Sequence, residues 1–108
     1  MKYDKLVRDK IPAIIEKTGK KCIVRVADPS EINDYLFKKL QEEIEELKNT
    51  NNIEDLLEEV ADITSVLREI CNINGVSFAD SVIKQIAKET KNGAFSKHII
   101  LVEVLEND

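Results

Sequence analysis

KLQEEIEEL at residues 39–47 and LEEVADI at residues 57–63 are the stretches of sequence that decide the fold. At about 100° per residue, the leucines and isoleucines of each stretch fall on one side of a helix, which predicts two amphipathic α-helices. The polar run NTNN at residues 49–52 separates the two stretches and is typical of a turn. The sequence therefore predicts an antiparallel helical hairpin at the centre of an all-α fold.

Cap and terminator residues predict where each helix begins and ends. A short helix is predicted from Pro12 to about Lys17, and a first long helix is capped by Ser30 and ends near Lys48. A second long helix runs from Ile53 or Glu54 to Asn74-Gly75. A third long helix is capped by Ser77 and runs from about Phe78 to Lys91. β-branched runs at 21–26 and 98–104 predict two short accessory strands, which are candidates to pair with each other. No linker interrupts the chain, so we expect one domain over residues 1–108.

Composition narrows the class of protein. The chain has 108 residues, of which 43% are hydrophobic, with 16 Lys and Arg against 21 Asp and Glu and a net charge of −5. An acidic balance argues against binding to a nucleic-acid polymer, whose partners are basic. No apolar run approaches the roughly 18 residues of a membrane span, and the residues after Met1 do not resemble a secretory leader. We therefore expect a cytoplasmic protein that does not enter a membrane.

The inventory of reactive side chains limits the chemistry. Cys22 and Cys71 are too far apart for a redox pair and are expected to be reduced packing residues. His98 is the single histidine, so chemistry that needs a pair of histidines is excluded. Any catalysis must therefore use carboxylates, lysines, arginines and a bound metal.

Two acids lie where apolar residues belong. Glu43 falls at about −20° from Leu36 on the helix wheel, inside the apolar stripe of its helix. Glu59 falls inside the stripe of the second helix in the same way, and each of these acids is followed three residues later by a further acid, Glu46 or Asp62. Such pairs on a helix are commonly no more than a solvated face. Their position inside both stripes favours a site instead.

The hairpin brings the two acid pairs to one height. Glu43 and Glu59 are each eight residues from Asn51, because 51 − 43 = 59 − 51 = 8. At about 1.5 Å per residue they stand roughly 12 Å from the turn on facing helices. Four carboxylates converge there, and their repulsion requires a compensating positive charge. A hard divalent cation that prefers oxygen ligands, Mg²⁺ or alternatively Mn²⁺, is the predicted cofactor.

The two acidic stretches resemble the E-x-x-E … E-x-x-D signature of the MazG-like all-α nucleoside triphosphate pyrophosphohydrolases, a superfamily that includes the phosphoribosyl-ATP pyrophosphohydrolases. YDKLVRDKIP at residues 3–12 and KNGAFSK at residues 91–97 are similar to the outer landmarks of one MazG-related branch. The resemblance implies a Mg²⁺-dependent hydrolase that cleaves a nucleotide between its α- and β-phosphates, giving a nucleoside monophosphate and pyrophosphate. It also implies that Glu43, Glu46, Glu59 and Asp62 are the catalytic and metal-binding acids.

Basic residues are the second requirement of such an enzyme. Arg8 and Lys10 lie just before the first helix, and Lys88 and Lys91 continue a stripe that begins at Lys84 on the third long helix. These residues are the candidates for binding the substrate's phosphates, against the alternatives of structural ion pairs and a solvated face.

The apolar arc of the second hairpin helix is wider than one partner helix can cover, because Leu57, Val60 and Cys71 extend it to roughly 180°. We therefore expect a homodimer or a dimer of dimers in which two hairpins form a four-helix bundle. Two alternatives to the nucleoside triphosphate pyrophosphohydrolase stay open. One is a phosphoribosyl-ATP pyrophosphohydrolase of histidine biosynthesis, and the other is a catalytically silent helical module that binds nucleotides or a protein.

Overall fold

A computed structural model describes residues 3–106, and every regular element in that range is an α-helix. The helices are α1 (Ile11–Glu16), α2 (Ile32–Lys48), α3 (Ile53–Ile73) and α4 (Phe78–Asn92). The predicted all-α class is confirmed. Met1, Lys2 and residues 107 and 108 lie outside the described residues.

Helices α2 and α3 pack against each other as the predicted hairpin. The apolar centre of the pair is small: Leu36 of α2 is 1% exposed, and Val66 of α3 is the other buried apolar residue of the described chain. Glu43 is buried beside them, at 4% exposure. Other members of the two apolar stripes, such as Ile44 and Leu67, keep part of their surface exposed. The hairpin alone therefore buries less than its sequence pattern predicts.

The helix ends follow the predicted chemistry with one exception. Ser77 caps α4 in a capping box completed by Asp80, and Gly75 ends α3 at φ 75°, in the left-handed region that favours glycine. Asn52, which the sequence assigned only to the turn, caps α3 by accepting a 2.9 Å hydrogen bond from the backbone N–H of Asp55. The prediction of Ser30 as a cap is wrong. The residue before α2 is Glu31, and no side chain caps that end.

The two predicted accessory strands are absent from residues 3–106. Residues 20–28 and 98–106 belong to no helix or strand, and no backbone-to-backbone hydrogen bond of 20–27 or 99–106 is present among the described residues. Ile23, which the strand would have half buried, is fully exposed at 103%. A strand obtains its hydrogen bonds from a neighbouring strand, so β-branched residues without a paired neighbour do not form one.

Side chains tie the segment 20–28 to α2. The Arg25 guanidinium donates two 2.9 Å hydrogen bonds to the two carboxylate oxygens of Glu31 and one of 3.0 Å to the Tyr35 hydroxyl. Hydrogen bonding from Arg25 lowers the pKa of Glu31 to about 2. A side-chain network therefore holds the segment where a strand was predicted.

The chain divides into two compact units, one up to Val76 and one from Ser77 onward. The first contains α1, α2 and α3, and the second contains α4 and the segment after it. None of the helices in residues 3–106 has both the length and the hydropathy that crossing a membrane requires.

Candidate metal centre

Three of the four predicted acids come together between α2 and α3. One carboxylate oxygen from each of Glu43, Glu46 and Glu59 lies within 4.8 Å of the other two. Oxygen atoms that bind one Mg²⁺ directly at about 2.1 Å are at most about 4.2 Å apart, so the observed spacing is close to that of a cation site. Glu43 is buried, Glu59 is half-buried and Glu46 is exposed, which leaves the cluster open on one side.

Two oxygens of the cluster lack the partners that buried polar atoms normally have. Glu43 Oε2 and Glu59 Oε2 are buried and accept no hydrogen bond among the described residues. The other oxygen of Glu43, Oε1, is 3.4 Å from Lys39 Nζ. A buried carboxylate oxygen without a hydrogen bond costs free energy, and a cation would satisfy both oxygens at once.

The cluster changes the acidity of Glu59. The pKa of Glu59 is raised to about 7, and hydrogen bonding with Glu43 is the largest cause of this rise. Burial and the negative charges of Glu43, Glu46 and Asp62 raise it further. The acids are therefore close enough to oppose one another's ionisation, as the wheel and register arguments anticipated.

Asp62 differs from the other three acids because it is paired with an arginine. Its Oδ1 accepts a 2.6 Å hydrogen bond from Nη2 of Arg8, and the same nitrogen donates to Ser65 Oγ at 3.2 Å. Asp62 thus stands at the edge of the cluster, facing the N-terminal segment. The sequence proposed Asp62 as a metal ligand and Arg8 as a phosphate-binding residue, and the structure brings the two into contact.

Two lysines that the sequence analysis did not single out lie beside the cluster. Lys39 is within 3.5 Å of Glu42 as well as 3.4 Å from Glu43, and Lys5 Nζ donates to Glu42 Oε1 at 3.2 Å. Burial opposes the ionisation of Glu42, but the hydrogen bond from Lys5 and the charge of Lys39 outweigh it and lower the pKa of Glu42. The Lys39–Glu43 spacing of four residues on one helix face was the signal available in the sequence.

The remaining basic candidates have none of these hydrogen bonds or ion pairs among the described residues. Lys10 is exposed before α1, a helix of only six residues. Lys88 lines an open groove of about 700 Å³ in the unit from Ser77 onward, together with Lys84 and Phe95. Lys91 is exposed in the last turn of α4. Their roles stay predictions.

Comparison with protein-family models, with curated proteins and with solved structures finds no match for this chain. The functional argument therefore depends on the geometry of the cluster and on the resemblance of its sequence pattern.

Proposed function

We propose that the chain is a Mg²⁺-dependent nucleotide pyrophosphohydrolase that cleaves the α–β phosphoanhydride of a nucleoside triphosphate or a related nucleotide. The products would be a nucleoside monophosphate and pyrophosphate. One observation carries the proposal: acids from two facing helices meet inside the apolar interface, and two of their buried oxygens have no hydrogen-bond partner. Such a cluster is costly for a protein that makes no use of it.

The residues present fit a divalent cation of the hard type. Glu43, Glu46 and Glu59 offer oxygen ligands close together, and Asp62 would complete the set at the edge of the cluster. When bound, Mg²⁺, or Mn²⁺ in its place, supplies charge neutralisation for the phosphate oxygens and lowers the pKa of a coordinated water.

The protein's own side chains divide the remaining tasks. Arg8 lies at the mouth of the cluster through its contact with Asp62, where its guanidinium can bind a substrate phosphate. Glu42 is a weak proton acceptor, because Lys5 and Lys39 hold it ionised. We therefore assign the role of accepting the proton of the attacking water to a carboxylate of the cluster rather than to Glu42.

A hydrolysis panel tests the assignment. The full chain is incubated with Mg²⁺ and nucleoside triphosphates, deoxynucleoside triphosphates or phosphoribosyl-ATP, and the products are identified by ³¹P NMR. We expect pyrophosphate and a monophosphate, with Glu59→Gln losing at least about 10²-fold in turnover because the metal loses a charged ligand. Glu45→Gln is the matched control, since Glu45 lies on the exposed face of α2 and pairs only with Lys48 among the described residues.

Other results of the panel separate the alternatives. Hydrolysis of phosphoribosyl-ATP alone would assign the chain to histidine biosynthesis. Orthophosphate as the first product would exclude a pyrophosphohydrolase. Binding of nucleotides without any turnover would indicate the silent module. The proposed substrate and Mg²⁺ belong to the cytoplasm, where we expect the protein to act.

We further propose that two chains associate through the hairpin, as a homodimer or a dimer of dimers. The support is the small apolar centre: Leu36 and Val66 are the two buried apolar residues of the described chain, whereas Leu57 and Val60 of α3 are exposed. So small a core does not offset the conformational entropy of a folded chain. A second hairpin packed on this face would bury it in a four-helix bundle.

Sedimentation equilibrium at micromolar concentration tests the association. We expect a mass at least twice 12.3 kDa, and we expect Val60→Glu to shift the chain toward monomer by placing a charge in the interface. An active wild-type monomer would show that the exposed face of α3 needs no partner copy.

A further inference from the structure

Asp62 is the one predicted metal ligand that does not join the carboxylate cluster of the described residues. One oxygen each from Glu43, Glu46 and Glu59 lies within 4.8 Å of the other two, and no oxygen of Asp62 belongs to that group. Asp62 follows Glu59 by three residues on α3, which is about one helical turn, so the two side chains leave neighbouring points of one helix face. Position along α3 therefore does not by itself explain why Asp62 stays outside the cluster.

Arg8 holds Asp62 in place from outside the hairpin. Its Nη2 donates to Asp62 Oδ1 at 2.6 Å and to Ser65 Oγ at 3.2 Å. Each Nη atom of a guanidinium carries two hydrogens, so both hydrogens of Nη2 are used. Ser65 thereby anchors the guanidinium on α3, and movement of the Asp62 carboxylate toward the cluster works against a charge-assisted hydrogen bond.

The segment that carries Arg8 is itself fixed on α2. The Tyr35 hydroxyl donates to Asp4 Oδ1 at 3.2 Å. Lys5 Nζ donates to Glu42 Oε1, also at 3.2 Å. Arg8 follows three residues later and reaches α3 with its side chain alone. The anchored segment therefore presents the guanidinium at the edge of the cluster and not inside it.

The same contact prevents Arg8 from binding a phosphate with two hydrogen bonds. A guanidinium binds an oxyanion in that way through neighbouring N–H groups, either from Nη1 and Nη2 or from Nε and Nη2. Both arrangements need a hydrogen of Nη2, and Asp62 and Ser65 take both of them. Release of Asp62 makes one of these hydrogens available again. The metal-binding role of Asp62 and the phosphate-binding role of Arg8 therefore both depend on breaking one contact.

We propose that Arg8 competes with the divalent cation for Asp62, and that the cation, by drawing Asp62 into the cluster, releases the guanidinium for a phosphate of the substrate. The inference rests on the proposed function for the identity of the cation and of the substrate. Arg8 then stabilises the metal-free chain and lowers its affinity for the cation. Because the cation frees Arg8, the metal-loaded chain binds the nucleotide more tightly, which couples the two binding steps.

The first test measures the Kd of Mg²⁺ for the full chain by isothermal titration calorimetry without nucleotide. Arg8→Gln is expected to tighten Mg²⁺ binding about fivefold, because a partly exposed ion pair no longer has to be broken. The same variant should raise the KM of the nucleotide about tenfold, because a phosphate loses a charged hydrogen-bond donor. Lys48→Gln is the matched control for the lost positive charge, since Lys48 forms an ion pair with Glu45 and with no other acid in residues 3–106.

The opposite signs of the two effects distinguish this role from a merely structural one. If Arg8 only supported the fold, Arg8→Gln would weaken or leave unchanged the binding of Mg²⁺, and either result would overturn the proposal. Weaker binding would also follow if Asp62 kept Arg8 on one oxygen and bound the metal with the other. A wild-type KM in Arg8→Gln would overturn the release of Arg8 to a phosphate.

A double-mutant cycle separates competition for Asp62 from repulsion between Arg8 and the cation. In the Asp62→Ala background there is no carboxylate to compete for, so adding Arg8→Gln should leave the Mg²⁺ Kd within about twofold. A fivefold tightening that persists in this background would show that Arg8 acts through its charge alone, and would overturn the proposal.

A crystal structure of the wild-type chain with Mn²⁺ gives a direct reading, and it decides if Asp62→Ala binds the cation too weakly to measure. Arg8 Nη2 and Asp62 Oδ1 should then be more than about 3.5 Å apart, beyond hydrogen-bonding distance. A retained contact in the metal-loaded chain would overturn the competition.

Failure of the proposed function gives a different result. If the wild type hydrolyses no nucleotide of the panel, the Mg²⁺ Kd values alone decide, and a tightening in Arg8→Gln that disappears in the Asp62→Ala background still supports the competition. Hydrolysis by the wild type together with equal Kd values in wild type and Arg8→Gln overturns the competition alone. A wild-type chain that binds neither Mg²⁺ nor Mn²⁺ overturns both.

Discussion

The hairpin of α2 and α3 and the two non-helical segments, 20–28 and 98–106, both have sequence patterns that predict regular structure, but they differ in the structure they form. The hairpin forms as predicted, and the two segments do not form strands. Backbone hydrogen bonds in a helix join residues four apart, so the segment that makes them is also the segment that satisfies them. A strand depends on a second strand elsewhere. Local patterns therefore predict the helices of this chain better than its strands.

The same difference extends to burial. Every buried side chain of the described residues lies on the hairpin, including the acid Glu43. The large aliphatic residues of the two segments, such as Ile23 and Val104, are exposed. Changes in the hairpin should therefore alter stability and metal binding, and equivalent changes in the segments should not.

The largest expected effect is the loss of a core side chain. Leu36→Ala should lower the free energy of unfolding by about 3 kcal/mol, because it leaves a cavity between α2 and α3. Ile23→Ala in the segment 20–28 should change it by less than about 0.5 kcal/mol. Urea denaturation of both variants measures the contrast. A loss above about 1 kcal/mol at Ile23 would mean that this segment is buried as a strand after all.

Mg²⁺ binding should stabilise the hairpin and leave the two segments unchanged. At ten times its Kd, Mg²⁺ should stabilise the protein by about 1.4 kcal/mol through preferential binding to the folded state. Hydrogen exchange should slow at the amides of α2 and α3 and stay fast in 20–28 and 98–106. Glu43→Gln should remove the effect, and Glu45→Gln should keep it. Uniform protection of the whole chain by Mg²⁺ would contradict a site confined to the hairpin.

The loss of a helix cap should have a smaller effect on stability. Asn52→Ala should cost about 1 kcal/mol, because it removes the side-chain acceptor for the Asp55 N–H at the start of α3. Ser30→Ala, beside the segment 20–28, should cost less than about 0.5 kcal/mol since no side chain caps α2. Thermal unfolding of the two variants compares them directly. Equal losses of stability in the two variants would show that Ser30 caps α2, as the sequence predicts.

The pH dependence of the metal-free protein offers a further test. The folded pKa of Glu59, about 7, lies above its ordinary value of 4.5, so between those values the folded state holds a proton that the unfolded state releases. Stability should therefore fall as pH rises from about 5 to about 8. The lowered pKa values of Glu31 and Glu42 act below this window. Melting temperatures of wild type and Glu59→Gln without metal measure the effect, which the variant should lack. A wild-type profile that is flat or rises would contradict the repulsion within the cluster.

The sequence by itself determined the helices and the core of the candidate site. The turn at residues 49–52 and the cap at Ser77 are local signals, and the structure follows them. Glu43 and Glu59 could be placed together because two regular helices joined by a short turn have a calculable register. Convergence of Glu46 with them follows from the same geometry.

Only the tertiary structure decided which partners these residues have. Arg8 and Ser65 are 57 positions apart, and no periodicity relates an N-terminal segment to a helix that it crosses. The pairing of Arg8 with Asp62 likewise depends on the path of residues 3–8 over the hairpin, as does the contact between Lys5 and Glu42. Whether the two β-branched segments form strands likewise depended on contacts between distant parts of the chain. Contacts within a helix follow from spacing along the chain, whereas contacts between distant segments depend on how the whole chain packs.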